Sequence, residues 1–159
     1  MTLRITRSVI ALAAAGLLFG AASATAAPRN VEVRGDGTCA TIASASGTTR
    51  GSGLGRADFA AAISVGANAY GACEVATGTV VYTRSGDDLA TDISGVVCDV
   101  GVSGSGTGIV ANRVFEGAYT VDAASSTGRY AGNTGAGNTV IGCYGDGTAA
   151  HHANGSLTR

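Results

Sequence analysis

The residues that could do chemistry in this chain are few and widely spaced. Its only two histidines are adjacent, at His151 and His152. Successive residues of a strand point to opposite faces, so this pair does not present two imidazoles to one ion. The four cysteines lack any Cys-x-x-Cys spacing, and no metal site is expected. Gly51-Ser52-Gly53-Leu54-Gly55 is glycine-rich but carries no lysine and opens no helix, so it is no phosphate cradle. No dinucleotide fingerprint and no nucleophile elbow occurs in the right setting, and no cofactor is expected. What remains for a general base is Glu74, Asp92 or Glu116, working with Arg113 or a tyrosine. Each also reads as an exposed strand residue. Arg113 and Glu116 lie three apart and fall on opposite faces of a strand unless a bulge intervenes.

Cysteine chemistry is the stronger signal. Cys39, Cys73, Cys98 and Cys143 allow three pairings. The stretch from Gly78 to Arg84, the turn residues Ser85-Gly86-Asp87-Asp88, and the run from Leu89 to Val97 together read as a hairpin. A turn centred near Gly86-Asp87 places Cys73 within one register step of Cys98. The expected pairs are therefore Cys73–Cys98 and Cys39–Cys143, the second tying the start of the domain to its end. Such cross-links belong to an oxidising compartment.

The first residues point to the same compartment. Arg4 and Arg7 precede an apolar stretch from Val9 to Phe19, and small residues lead to Ala24-Thr25-Ala26. This is the pattern of a secretory signal peptide over residues 1–26, cut before Ala27. An apolar run of about 11 residues falls well short of the roughly 20 that span a bilayer as a helix. The expected product is one secreted, extracellular domain, 27–159. Two of the ten arginines leave with the leader, so eight bases face eleven acids. A mildly acidic domain has no electrostatic footprint for nucleic acid and none for an anionic membrane after signal removal. Lysine is absent amid abundant Ala and Gly, a bias typical of high-GC bacterial genomes.

The elements that must position these residues read as strands. Gly and β-branched residues recur with turn signals about every 10–15 positions, and no long helical period is present. Asn30 to Arg34 and Cys39 to Ser44 read as a first strand interrupted at Gly35-Asp36-Gly37, and Gly55 to Val65 as a second despite its alanine-rich middle. The hairpin follows, then a Gly/Ser loop from Gly101 to Gly108. From Ile109 to Val121 the alternation is clearest: Ile109, Ala111, Phe115, Tyr119 and Val121 share one face, while Asn112, Glu116 and Thr120 share the other. Arg113 interrupts the apolar face, either at a rim or in a pocket. A turn region spans Ala123 to Thr134, and Asn138 to Tyr144 and His151 to Leu157 add two short strands. The expected fold class is all-β, a single antiparallel β-barrel of about eight strands, with a sandwich as the alternative.

Phe115-Glu116-Gly117-Ala118-Tyr119-Thr120-Val121 followed by Ser126-Thr127-Gly128-Arg129-Tyr130-Ala131-Gly132-Asn133-Thr134-Gly135 resembles a recurrent stretch of small secreted Gly/Thr-rich proteins of high-GC bacteria, whose function is unknown. Gly53-Leu54-Gly55-Arg56 and Ser85-Gly86-Asp87-Asp88-Leu89 resemble two further turns of theirs, so the likeness runs from about residue 50 to 143. The loop style is also similar to that of the allene oxide cyclase and dirigent barrels. The resemblance implies an eight-stranded barrel with an apolar cavity. The chain departs from it at Ala123-Ala124-Ser125-Ser126, where paired glycines are usual, and at Asn133, where alanine is usual. The catalytic acids of the plant enzymes have no matching positions here, so the resemblance carries fold and not activity. In the loop, Arg129 is placed to bridge to a carbonyl or carboxylate, and Tyr130 to cap a barrel end.

The expected function is the binding of a small apolar molecule inside the barrel, against Tyr82, Ile93, Phe115 and Tyr119. Packing by those same side chains would remove the room for it. Two other readings stay open. One is a cyclase- or isomerase-like enzyme, which needs an acid or tyrosine facing an open cavity. The other is an extracellular structural or interaction protein, which needs exposed strand edges. The sequence favours no enzyme and leaves the oligomeric state undetermined.

Overall fold

The computed structural model describes residues 26–103 and 109–159. The leader expected over 1–26 therefore lies outside the described residues except for Ala26, as does most of the Gly/Ser loop expected over 101–108. Eight strands follow one another along the chain: β1 (Arg29–Thr41), β2 (Ser44–Ser52), β3 (Gly55–Tyr70), β4 (Cys73–Arg84), β5 (Asp87–Ser103), β6 (Ile109–Val121), β7 (Thr134–Cys143) and β8 (Thr148–Thr158). Each pairs antiparallel with the next, and β8 returns to β1, so the sheet closes into an up-and-down barrel. Closure leaves no free sheet edge, which removes the edge strands that an edge-to-edge assembly would need.

One side-chain alternation runs around the whole barrel. Odd-numbered residues point inward on every strand except β4, whose pairing with β3 and β5 carries even-numbered Ala76, Val80 and Tyr82 inside. The outer faces carry Glu32, Arg34, Asp58, Asp92 and Glu116, all exposed. An eight-stranded barrel has an interior just wide enough to be filled by side chains. Here Val33, Phe59, Val80, Val97, Phe115 and Ile141 fill it, each 2% exposed or less. Ile42, in the β1–β2 turn, and Leu54, in the β2–β3 turn, are buried at opposite ends.

Glycine at inward positions is what lets the larger rings fit. Tyr119 lies across Gly137 and Gly155 on the two strands beyond it; a Cβ would stand 2.7 Å from its Cε1 at Gly137 and 2.5 Å from its Oη at Gly155. The same logic corrects the reading of β1. Gly35, Asp36 and Gly37 do not interrupt a strand. They lie within an unbroken one, where Gly37 opposes Gly47 so closely that a Cβ would meet the Ser46 carbonyl. A second strand that the sequence pattern did not announce, β2, supplies that partner.

The hairpin register is tighter than its sequence indicated. The turn is Ser85-Gly86, one residue earlier than expected, with φ of 54° and 85°. Two successive positive φ values are the mark of the type I′ turn that matches the twist of a two-residue hairpin. The shift brings Cys73 directly opposite Cys98. Both expected disulfides are present, Cys73–Cys98 and Cys39–Cys143, and both sit at the same end of the barrel. They are consistent with an extracellular setting.

Candidate functional site

The two ends of the barrel differ in chemistry. The end that carries the disulfides bears ion pairs at its rim. Arg113 continues the inward-facing row of β6 to the rim, where its Nε donates to Asp99 Oδ1 at 2.8 Å and its Nη2 to Glu74. This settles the choice left open for Arg113: it is a rim residue, half-buried and paired with two acids. Glu74 is thereby engaged, and Asp92 and Glu116 point outward into solvent. None of the three carboxylates expected as general bases faces an open interior.

The midsection holds a polar cluster whose inner arrangement the sequence did not announce. Strand alternation puts the two imidazoles on opposite faces, as expected, and the structure places His151 inside and His152 outside. His151 stacks on Phe59 at a centroid distance of 5.0 Å, and its Nε2 lies 3.2 Å from both Tyr82 Oη and Thr139 Oγ1. Its Nδ1 is buried without a hydrogen-bond partner. Burial pulls the imidazole down to about 4, because no acid faces it to hold a charge, and His152 next to it adds to the effect. Burial likewise pushes the Tyr82 hydroxyl up. Nothing in the pattern of apolar residues revealed that Thr139, Tyr82 and His151 share a contact, since they come from three strands remote in sequence.

The other end is a mouth. It is covered by the connection from Asp122 to Asn133, which includes a short 3₁₀ turn at Gly128–Tyr130. The connection is fastened to the start of β5. Thr127 N donates to Asp88 O, Asp88 N donates to Thr127 Oγ1, and Ala90 N donates to Ser126 Oγ. Arg129 Nε donates to Asp87 Oδ2 at 2.7 Å, the expected bridge to a carboxylate, and it holds the Asp87 carboxyl below the usual range. Positive φ at Gly128 and Gly132 turns the chain back; Gly135, the third glycine of the loop, is instead part of β7. Tyr130 is buried here, in the capping place expected for it.

The four residues expected to bind ligand all face the interior, and all are buried: Tyr82 at 4% exposure, Ile93 at 3%, Phe115 at 0% and Tyr119 at 7%. All four belong to the packed core, and of them Tyr82 and Tyr119 also border a small cavity near the mouth, with Val31, Leu54, Leu89 and Leu157. That inner cavity offers about 10 Å³, room for about one water molecule. Directly above it, sharing Val31 and Leu157, lies a larger cavity of about 240 Å³ at the mouth itself. Its wall is formed by Arg29, Arg84, Arg129, Tyr130, Asn133 and Arg159, with Gly53, Ala27 and Ala26, the last residue of the expected leader. The sequence places Arg129 and Tyr130 together in one loop, but gives no sign that Arg29, Arg84, Asn133 and Arg159 join them.

Among the described residues no group of three His, Cys, Asp or Glu side chains gathers as a metal site. Comparison of the chain with protein-family models, with curated proteins and with solved structures finds no match.

Proposed function

We propose that this is a secreted, disulfide-locked barrel that binds a small molecule with an apolar body, without transforming it. The seat is the mouth, rather than the filled midsection around Ile93 and Phe115. The observation that carries this reading is the pair of cavities joined at Val31 and Leu157, one a vestibule of about 240 Å³ and the other a small apolar recess floored by Tyr82 and Tyr119. A site of this kind, concave and apolar with a few polar groups at its lip, is the usual form of a small-molecule pocket. The likeness of residues 115–135 to cavity-bearing barrels supports the same reading, and so do the outward-facing positions of Asp92 and Glu116. Export through a signal peptide cut before Ala27 fits the two disulfides. Charges at Asp58, Asp92 and Glu116 on the outer faces stand where a membrane barrel needs an apolar band, and so favour a water-surrounded barrel.

Native mass spectrometry of the protein recovered from culture medium tests this. The expected mass corresponds to a chain beginning at Ala27 with four hydrogens lost to two disulfides. An adduct of a few hundred daltons that survives gentle desolvation, and disappears on denaturation, is the expected sign of an occupied mouth. A bare oligomer would move the reading to an extracellular structural or interaction protein.

A further inference from the structure

Three large apolar side chains stand exposed among the described residues: Val75 at 49%, Val100 at 44% and Tyr144 at 40%. They come from separate parts of the chain and gather on one outer patch at the disulfide end. Val75 opposes the half-buried Val96, and Val100 follows on the same strand, two residues beyond Cys98. Cys98 opposes Val114, and Val114 opposes Gly142. The Tyr144 ring lies over Gly142, where a Cβ would stand 3.2 Å from its Oη. The Cys73–Cys98 disulfide runs through the middle of the patch. A contiguous apolar patch on an outer wall marks a surface that meets something.

An unpaired strand edge borders this patch. The closed barrel has none, but β5 and β6 run on past it. On the β4 side, pairing ends with Cys73 opposite Cys98 and one last bond from Asp99 N to the Ala72 carbonyl. Beyond it, residues 100–103 pair with β6 alone among the described residues. Edges left open in this way are normally guarded by a charge, a proline or a bulge. Val100-Gly101-Val102-Ser103 carries no charge and no proline.

We infer that this end of the barrel is a self-association surface, where two copies of the chain meet through the β5 edge and the patch beside it. An open edge takes another extended strand, and β5 of a second copy is one: extended, uncharged and flanked by the same apolar patch. Antiparallel pairing of an edge with itself is isologous, so each copy supplies the strand that the other lacks. An anionic lipid surface fits worse, because the exposed acids Asp99 and Glu116 flank the patch. A four-residue edge with a few apolar side chains falls below the roughly 1,200 Å² of a standard interface, so the dimer is a weak, reversible one. The surface lies at the end opposite the mouth and does not depend on the mouth being occupied.

Sedimentation of the mature protein from about 10 µM to 1 mM tests this. A dimer is expected to grow in with concentration and to persist in added salt, because apolar contacts and backbone pairing hold it. Hydrogen exchange of the amides of residues 100–103 is expected to slow as the dimer forms. Val75→Lys and Val100→Lys each place a charge in the surface and are expected to weaken association about tenfold or more. Both side chains are exposed, so the thermal midpoint of the monomer is expected to stay near the parent's. Thr120→Lys, on the outer wall toward the mouth, is expected to leave the dimer unchanged. A monomer at every concentration would overturn the inference. So would a dimer indifferent to both valine variants, or one dispersed by salt. A monomer that floats with phosphatidylcholine vesicles would overturn the second copy and give the patch to lipid.

Discussion

At the scale of single residues, His151 has the clearest consequence. Its imidazole is held neutral in the core at about 4, against an ordinary value of 6.5. The folded state therefore binds fewer protons than the unfolded state between those values. Stability from this group is complete above pH 6.5 and is lost as pH falls toward 4, by at most about 3 kcal/mol. His151→Gln keeps a polar partner for Tyr82 and Thr139 and does not titrate. Urea midpoints of the parent are expected to fall between pH 6.5 and 4.5, and those of the variant to fall less; parallel curves would refute the assignment. That this residue and His152 face opposite ways was legible from alternation alone, because neighbouring strand residues must oppose each other; that His151 is the inner one was not. Its contacts were not, since Tyr82, Thr139 and His151 meet only when β4, β7 and β8 surround a common interior. For Arg129 the sequence indicated a bridging role to a carbonyl or carboxylate, but not its partner, because Asp87 lies 42 residues earlier in the chain.

At the scale of elements, the β4–β5 hairpin shows how far local sequence reaches. Alternation fixed both strands, but the turn lay one residue from its expected place. The sequence offers Ser-Gly and Gly-Asp as neighbouring alternatives, and the longer pairing with Cys73 opposite Cys98 selects the first. Ser85 pays for that choice with a positive φ of 54° on a residue with a side chain. Ser85→Asn supplies the residue type favoured in a type I′ turn. It is expected to raise stability by on the order of 0.5 kcal/mol, read from the urea midpoint with an unchanged slope. No gain, or a loss, would mean that the turn is held by something other than its own backbone preference. The strand β2 escaped notice because Ser, Gly and Thr dominate it, so its inward row of Ala45, Gly47, Thr49 and Gly51 carries little hydrophobic contrast. Its role is to pass close to β1 and β3, and glycine suits close passage rather than pattern.

At the scale of the whole molecule, the two disulfides divide the work unequally. Cys73–Cys98 staples two strands that are already paired, over a separation of 25 residues. Cys39–Cys143 spans 104 residues and links β1 to β7 across the strand between them, next to the seam where β8 closes onto β1. In the chain-entropy description, the shorter loop stabilises by about 3.5 kcal/mol and the longer by about 4.7 kcal/mol. The double replacement Cys39→Ser with Cys143→Ser is therefore expected to lower the thermal midpoint more than Cys73→Ser with Cys98→Ser, both compared with the parent by calorimetry. The reverse order would place the stability of the barrel in the hairpin rather than in the closure. The arginine-lined mouth belongs to this scale too, because Arg29, Arg84, Arg129 and Arg159 come from four distant parts of the chain and meet only once the ends of β1, β4 and β8 are brought together.

What the sequence determined by itself is what depends on near neighbours. Alternating residues define strands, glycine and serine define turns, and the hairpin-compatible spacing of Cys73 and Cys98 defines one cross-link and, by remainder, the other. Each of these follows from covalent geometry and from contacts within a few residues or one strand pairing. Tertiary structure decided for the expected barrel over the sandwich, laid large rings over inward glycines, and set Glu74, Arg113 and Asp99 at one rim and four arginines around the other. These depend on which of many weak, long-range contacts can be satisfied together, and an individual residue type carries almost no record of partners 50 or more positions away.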